Sequence, residues 1–182
     1  MEGMKRSLVC LLSVAGLTLG FSVPAFAQDP QSATPARELA QLLADKKLDS
    51  IAARVPGSPD EFAAALAFPG QMIVVWAKFS APAMLNEKII KREYREAYLD
   101  LNSASTPASR HFVTDLGADG LRKGGKNQPA DSHEVAAKNM RFDGSWKEDK
   151  MSESDYVKAH ADADAAYSKV LAILIAQMKQ PS

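Results

Sequence analysis

The sequence predicts an α+β protein built on a small antiparallel sheet. Short apolar runs separated by Gly- and Pro-rich turns fill the middle of the 182-residue chain, as expected for strands joined by tight connections. Segments with helical periodicity flank this region on both sides. Hydrophobic residues make up 46% of the chain and charged residues 24%, which excludes a largely disordered protein and a membrane-embedded one.

The first 27 residues have the three parts of an export signal. Lys5 and Arg6 precede an apolar run over residues 7–21, and an Ala-x-Ala pattern ends at Ala27. That run is shorter than the roughly 20 residues that a membrane-spanning helix needs. We therefore expect cleavage after Ala27, a flexible leader over residues 28–35 and a single α+β domain over residues 36–182. The expected location is the periplasm or the extracellular medium.

Charge and cysteine content narrow the function classes. The chain has 22 basic and 22 acidic side chains, and this balance argues against a nucleic-acid-binding protein. The single cysteine, Cys10, lies in the predicted signal, so we expect a mature chain without disulfides or thiol chemistry.

Both ends of the mature chain carry helix signals. Thr34-Pro35 reads as an N-cap with proline at the first helical position, ahead of Leu39, Leu42 and Leu43. Near the C-terminus, Ser152 followed by Asp155 is a capping pattern. It precedes a long apolar stripe that runs to about Lys179. The sequence therefore predicts a short first helix and a long last one.

Turn residues divide the central region into strands. Residues 50–55, 61–68 and 72–79 are short apolar runs, the last two joined by Pro69-Gly70. The alanines at 63–65 also favour a helix, which makes residues 61–68 the weaker strand. Residues 72–79 are β-branched and aromatic, and they predict a central strand.

The second half of the sheet is less regular in sequence. A helix is predicted from Pro82 to about Glu93, and residues 94–101 fit either a continued helix or a strand paired with residues 111–116. A further hairpin is predicted around Asp143-Gly144, with arms at 139–143 and 145–147. The sheet is open or closes partly into a barrel.

The order of these elements over residues 50–147 resembles the split β-barrel of flavin-mononucleotide-binding proteins. The resemblance is one of topology and implies a bound flavin mononucleotide. Arg122, Lys123 and Lys126 lie on a Gly-rich loop, where cations and backbone N–H groups can meet a phosphate or carboxylate. Trp146 follows the Asp143-Gly144 turn and is a candidate for the rim of a pocket or of a partner surface.

Three other motifs each lack a residue that their chemistry requires. His133-Glu134 begins a zinc-protease pattern, but Ala137 stands where the second histidine is needed. Residues 115–120 resemble the start of a calcium loop that would place Lys126 at the glutamate position. His160 and Asp164 are one helical turn apart and could share a cation. The further ligands that a metal site needs would have to be His111 and His133, which are far from both in sequence. We therefore expect no metal site.

Catalytic signals are absent from the sequence. There is no mature cysteine, no nucleophile elbow, and no carboxylate in an apolar run that would raise its pKa, so no catalytic residue is assigned. We expect an exported, non-catalytic domain that binds a small anionic ligand or another exported protein. The alternative is a flavin-dependent, oxidoreductase-like protein, in which the cofactor supplies the chemistry.

Overall fold

The part of the chain that the structure describes is an open, six-stranded antiparallel sheet with two helices. The structure is a computed structural model, and it describes residues 29–79, 107–125, 129–135, 138–145 and 150–181. The strands lie side by side in chain order: β1 (Ser50–Arg54), β2 (Glu61–Phe68), β3 (Gln71–Phe79), β4 (Pro107–Leu116), β5 (Ser132–Val135) and β6 (Lys138–Arg141). The helices are α1 (Ala33–Asp45) and α2 (Glu153–Met178). The α+β prediction is confirmed, with the sheet open rather than partly closed.

The alanine-rich segment is a strand in spite of its helix propensity. All eight residues of β2 pair with β3, from Glu61 opposite Lys78 to Phe68 opposite Gln71. The connection has proline at its second position and Gly70 at its third with φ of 77°, which suits a type II turn. Ladder hydrogen bonds and burial of both faces outweigh a propensity difference of a few tenths of a kcal/mol per residue.

Residues 111–114 of β4 are paired on both sides. On one edge His111 to Thr114 pair with β5, and on the other edge β4 pairs with β3. Both edges of residues 111–114 are therefore occupied by β3 and β5. The predicted helix over 82–93 and the ambiguous segment 94–101 lie outside the described residues.

The turn at Asp143-Gly144 follows the end of β6 at Arg141, and residues 146–147 of the predicted second arm lie outside the described residues. β6 pairs with β5, from Val135 opposite Lys138 to Ser132 opposite Arg141. The Asp143 carboxylate instead accepts a hydrogen bond from the Ser145 N–H, and Gly144 has φ of 81°. The dipeptide therefore forms a turn just beyond the end of β6.

Both predicted terminal helices are present. Ser152 caps α2, and its hydroxyl accepts a hydrogen bond from the Asp155 N–H as the pattern predicts. The first helix begins at Ala33, with Ser32 in place of the predicted Thr34 at its N-cap. The helix thus starts inside the segment that was expected to be a flexible leader, and Ser32 is fully buried.

The main core lies between the two helices and one face of the sheet. α2 contacts α1, β1 and β2. Small side chains on that face of the sheet, Ala53, Ala63 and Ala65, share one buried cluster with the helical Tyr167 and Leu171. Because alanine projects little from the sheet, α2 can pack close to it. A second cluster, which includes Phe62, Ile73 and Phe112, occupies the opposite face.

Neither described helix has the length and hydropathy needed to cross a bilayer.

Candidate functional site

A cleft of about 730 Å³ opens where the start of the described chain meets α2. Three segments line it: residues 29–31, residues 121–123, and residues 160, 161 and 164 of α2. Its volume is in the range of small-molecule sites, about 300–1,000 Å³. The fold therefore assembles a ligand-sized cleft from residues more than a hundred positions apart in sequence.

Two of the residues singled out for anion binding, Arg122 and Lys123, line this cleft. The Arg122 guanidinium contacts the carboxylates of Asp119 at 2.6 Å and Asp29 at 3.2 Å. Lys123 is exposed. The cleft thus has two cations, of which Arg122 is held by carboxylates of the chain itself. The other two predicted residues, Lys126 and Trp146, lie outside the described residues.

The backbone of the Gly-rich loop does not offer its N–H groups to a ligand in the way the sequence suggests. The N–H of Gly120 bonds to Asp115, that of Leu121 to the Ser32 hydroxyl, and that of Gly124 to the Phe142 carbonyl. Internal acceptors take these donors because a buried, unpaired N–H is costly. These N–H groups of the described part of the loop are thus taken, and we base the anion site on the side chains of Arg122 and Lys123.

His160 faces the cleft as a neutral base. Its Nε2 lies 2.8 Å from the Leu121 carbonyl oxygen, which can only accept, so Nε2 carries the proton. Burial lowers the pKa of His160, against the opposing effect of that carbonyl. The ring meets Phe142 edge-on at 4.9 Å. Since Nε2 is protonated in the neutral ring, Nδ1 retains a lone pair.

Asp164 fastens the beginning of the described chain to α2. Its carboxylate accepts hydrogen bonds from the N–H groups of Gln31 and Ser32 and from the Ser32 hydroxyl. The Ser32 hydroxyl oxygen in turn accepts the Leu121 N–H at 2.8 Å. One carboxylate and one hydroxyl therefore join all three segments of the cleft.

Asp115, at the end of β4, holds the turn that leads to Arg122. Its carboxylate accepts the N–H groups of Asp119 and Gly120 and the hydroxyl of Tyr167. Burial raises the pKa of Asp115 to about 6, although these three donors favour the ionised form. Residues 115–120, which resemble the start of a calcium loop in sequence, therefore form a turn in which the Asp115 carboxylate binds backbone N–H groups of the same turn.

Asp131 supports the same turn from the other side. Its two carboxylate oxygens accept the N–H groups of Leu116 and Arg122. Burial raises the pKa of Asp131 to about 7. The expectation that no carboxylate has a raised pKa is therefore wrong for Asp131 and Asp115, because the fold buries both.

His111 and His133, which are far in sequence from the His160 and Asp164 pair, are neighbours of each other in space. His111 on β4 and His133 on β5 point to the same face, and their Nδ1 and Nε2 atoms are 3.2 Å apart. Both rings are stacked with Trp76 on β3, at centroid distances of 5.0 and 5.7 Å. Burial, and then the neighbouring His111, lowers the pKa of His133 to about 4; burial also lowers that of His111.

The sequence does contain weak signals for the buried carboxylates. Asp115 is two residues beyond Val113 in a strand, which places both on one face. Asp164 is three residues before the buried Tyr167 on α2, within the stripe that the helix presents to the core. Polar residues at inward-facing positions are the pattern that marks such groups.

Within the described residues, no three His, Cys, Asp or Glu side chains are grouped so as to hold a metal ion. No protein-family model matches the chain, and neither the curated proteins nor the solved structures contain a match to it. The functional assignment therefore depends on the geometry of the cleft and of the histidine pair.

Proposed function

We propose that this protein is an exported, non-catalytic binding domain whose cleft takes a small anionic ligand. The observation that carries the proposal is the position of Arg122 and Lys123 beside neutral His160 on the wall of one ligand-sized cleft. Guanidinium and ammonium groups are the usual partners of carboxylates and phosphates. The Nδ1 lone pair of His160 can accept a hydrogen bond from a hydroxyl group of the same ligand.

Asp29 acts as an internal competitor in this proposal. Its carboxylate contacts Arg122 at 3.2 Å and Arg37 at 3.4 Å, and these arginines, Arg37 first, lower its pKa. Both the Asp29 and the Arg122 side chains are partly exposed, and exposed ion pairs are weak. A ligand carboxylate or phosphate can therefore replace Asp29 at the guanidinium while Asp119 keeps the side chain in place.

A non-catalytic role is favoured by what the unusual carboxylates do. A raised pKa is often a sign of an acid–base residue. Asp115, however, is fully buried, and the oxygens of both Asp115 and Asp131 accept backbone N–H groups of the 116–122 turn. These contacts explain both residues as supports for the loop that presents Arg122 and Lys123.

The flavin alternative fits the described residues poorly. The Gly120, Leu121, Arg122 and Gly124 N–H groups already have internal acceptors, so these four cannot bind a flavin phosphate, whose contacts would come from the side chains as for any small anion. The open sheet also differs from the split barrel on which that expectation was based. We therefore assign no step to a flavin.

Calorimetric titration of the protein with citrate, inorganic phosphate and flavin mononucleotide tests the proposal. We expect citrate or phosphate to bind, and Lys123→Ala to weaken that binding about two- to fivefold, as for a partly exposed charge pair. Lys169→Ala removes an exposed lysine that does not line the cleft and serves as the matched control. Asp29→Asn removes the competing carboxylate and should strengthen binding at least about twofold.

These variants make the site assignment falsifiable. Equal affinities for the parent, Lys123→Ala and Asp29→Asn would place anion binding elsewhere and refute the cleft. Failure of all three probes to bind would refute the small-anion function itself. Tight binding of flavin mononucleotide alone, with a yellow purified protein, would favour the alternative.

Export is part of the same proposal. The support is the Lys5-Arg6, apolar and Ala-x-Ala order of the first 27 residues. Expression of the full chain in a bacterium, followed by fractionation and intact-mass measurement, should give a periplasmic or released protein that begins at Gln28. A cytoplasmic protein of full mass would contradict it.

A further inference from the structure

We propose that His111 and His133 form a binding site for a divalent transition metal, with Cu²⁺ as the preferred ion. This site is separate from the anion cleft, because neither histidine lines that cleft. Three features support it: the strand register that brings the rings together, the separation of their nitrogen atoms, and their protonation state.

The register of three neighbouring strands sets the geometry. His111 is directly opposite Trp76, and His133 is opposite Val113, two residues further along the same face of β4. Diagonal positions of this kind are within reach of long or aromatic side chains. The pair is therefore held by two backbone ladders and by the Trp76 ring, with little freedom left in the imidazoles.

The separation of the two nitrogen atoms suits a shared ion. Nδ1 of His111 and Nε2 of His133 are 3.2 Å apart, and the ring planes differ by 24°. Two nitrogens at the usual Zn–N distance of about 2.0–2.1 Å, separated in this way, subtend roughly 100° at the ion. That angle lies between the square-planar and tetrahedral values, with the ion displaced from the line that joins the two nitrogens.

The protonation state also suits metal binding. A metal ligand must be a neutral imidazole, and burial lowers the pKa of both histidines. In the structure the facing nitrogens share a single hydrogen atom. When that proton moves to the outer nitrogen of its own ring, both facing nitrogens have a lone pair available to a cation that lies to one side of the line joining them.

The chemistry of the donors selects the class of ion. Imidazole suits copper, nickel, zinc and iron, and Cu²⁺ stands highest in the order of divalent affinities. With two protein ligands, water or an exogenous anion fills the remaining positions. The nearest charged neighbours in the strands, Arg110 and Glu134, are paired with each other at 3.7 Å. Arg110 also lies over Phe112, a residue of the opposite face, so this pair is directed away from the histidines.

Titration of tag-free protein with Cu²⁺ tests the site, and the chain supplies its own probe. In a Trp146→Phe background Trp76 is the remaining tryptophan, and its ring lies 5.0 and 5.7 Å from the two imidazoles. We expect bound Cu²⁺ to quench its fluorescence with one ion per chain, and Ni²⁺ and Zn²⁺ to bind more weakly.

Single substitutions separate this site from other copper ligands. Loss of an outer-shell partner already weakens metal sites about 10–100-fold, so His111→Asn and His133→Asn should each weaken Cu²⁺ binding at least ~10-fold. His160→Asn is the matched control, since His160 is the third and last histidine of the chain and lies in the cleft. Its affinity should equal that of the parent, with folding of each variant checked by circular dichroism.

Electron paramagnetic resonance of the unmodified protein with one equivalent of Cu²⁺ gives a test that needs no variant. Two imidazole nitrogens are expected in the coordination sphere. A spectrum of oxygen or amide-nitrogen ligands, unchanged affinity in both His111 and His133 variants, or an equal loss in His160→Asn would each overturn the proposal. In that case the pair would be only a hydrogen bond between two neutral rings.

Discussion

The hydroxyl of Tyr167 on α2 donates a hydrogen bond of 2.9 Å to the carboxylate of Asp115 at the end of β4. Both residues are fully buried. Through this bond the helix that forms one wall of the cleft is fixed to the carboxylate that shapes the turn before Arg122. The loop of the proposed anion site is therefore positioned by the core of the protein.

Replacement of Tyr167 by phenylalanine tests this connection. The substitution keeps the ring and removes one of three donors to a buried carboxylate. Hydrogen bonds to charged groups contribute about 1.5–3 kcal/mol, so we expect a loss of that size in the free energy of unfolding. Because the pKa of Asp115 is about 6, the loss should be larger at pH 8, where the carboxylate is ionised, than at pH 5. Urea denaturation at both pH values measures it.

Tyr156 provides the control for that experiment. Among the described residues its hydroxyl accepts the N–H of exposed Gly144 at 3.3 Å, and water can replace it there. We expect Tyr156→Phe to cost less than about 1 kcal/mol, with no difference between the two pH values. A Tyr167→Phe protein as stable as the Tyr156→Phe protein would show that Asp115 does not depend on this donor.

Replacement of Gly120 by alanine tests how closely the loop approaches α1. Gly120 has φ of 94°, and a Cβ there would lie 2.6 Å from the backbone of Ala33. Overpacking and a strained φ each cost about 1–3 kcal/mol, so we expect a loss of at least about 2 kcal/mol. Thermal unfolding of the variant gives the value.

Gly57 separates backbone strain from the close approach. It also has a positive φ, of 78°, but a Cβ would meet nothing within 4 Å. Gly57→Ala should therefore cost only the left-handed conformation, about 1–2 kcal/mol. Equal losses for the two variants would mean that the loop can move away from α1 without cost.

Local signals predicted the fold, because its elements are bounded by local chemistry. Pro69-Gly70 fixes the β2–β3 connection, and Ser152 with Asp155 marks the start of α2. The partner of β6 was not predictable in this way. Asp143-Gly144 is a strong turn signal, but whether a turn joins two strands depends on what the next strand can bury.

The candidate site was predicted only in part, because sequence patterns report on neighbouring residues and not on partners far away in the chain. Arg122 and Lys123 were identified because cations on a Gly-rich loop are visible in sequence. Asp164 was missed as a buried anchor because its partners at 31 and 32 are more than 130 positions away. The His111–His133 contact likewise follows from strand register, which the sequence leaves open.

The pH dependence of stability should show two opposing contributions that single variants can separate. The pKa of Asp131 is raised from 3.8 to about 7, so its contribution is complete below pH 4 and is lost as the pH rises to 7. The pKa of His133 is lowered from 6.5 to about 4, so its contribution is complete above pH 6.5 and is lost as the pH falls to 4. Asp131 lies near Asp115 and Asp119, and His133 faces His111.

Thermal unfolding of the parent, Asp131→Asn and His133→Asn between pH 4 and pH 7, with a chelator present, checks both signs. The stability of the parent relative to Asp131→Asn should fall as the pH rises, because the parent alone must ionise a buried carboxylate. Its stability relative to His133→Asn should rise over the same interval, because the unfolded parent alone gains a proton at this position in acid. If the stability difference between parent and variant changed with pH in the same direction for both variants, at least one of the two groups would not be buried as the structure shows.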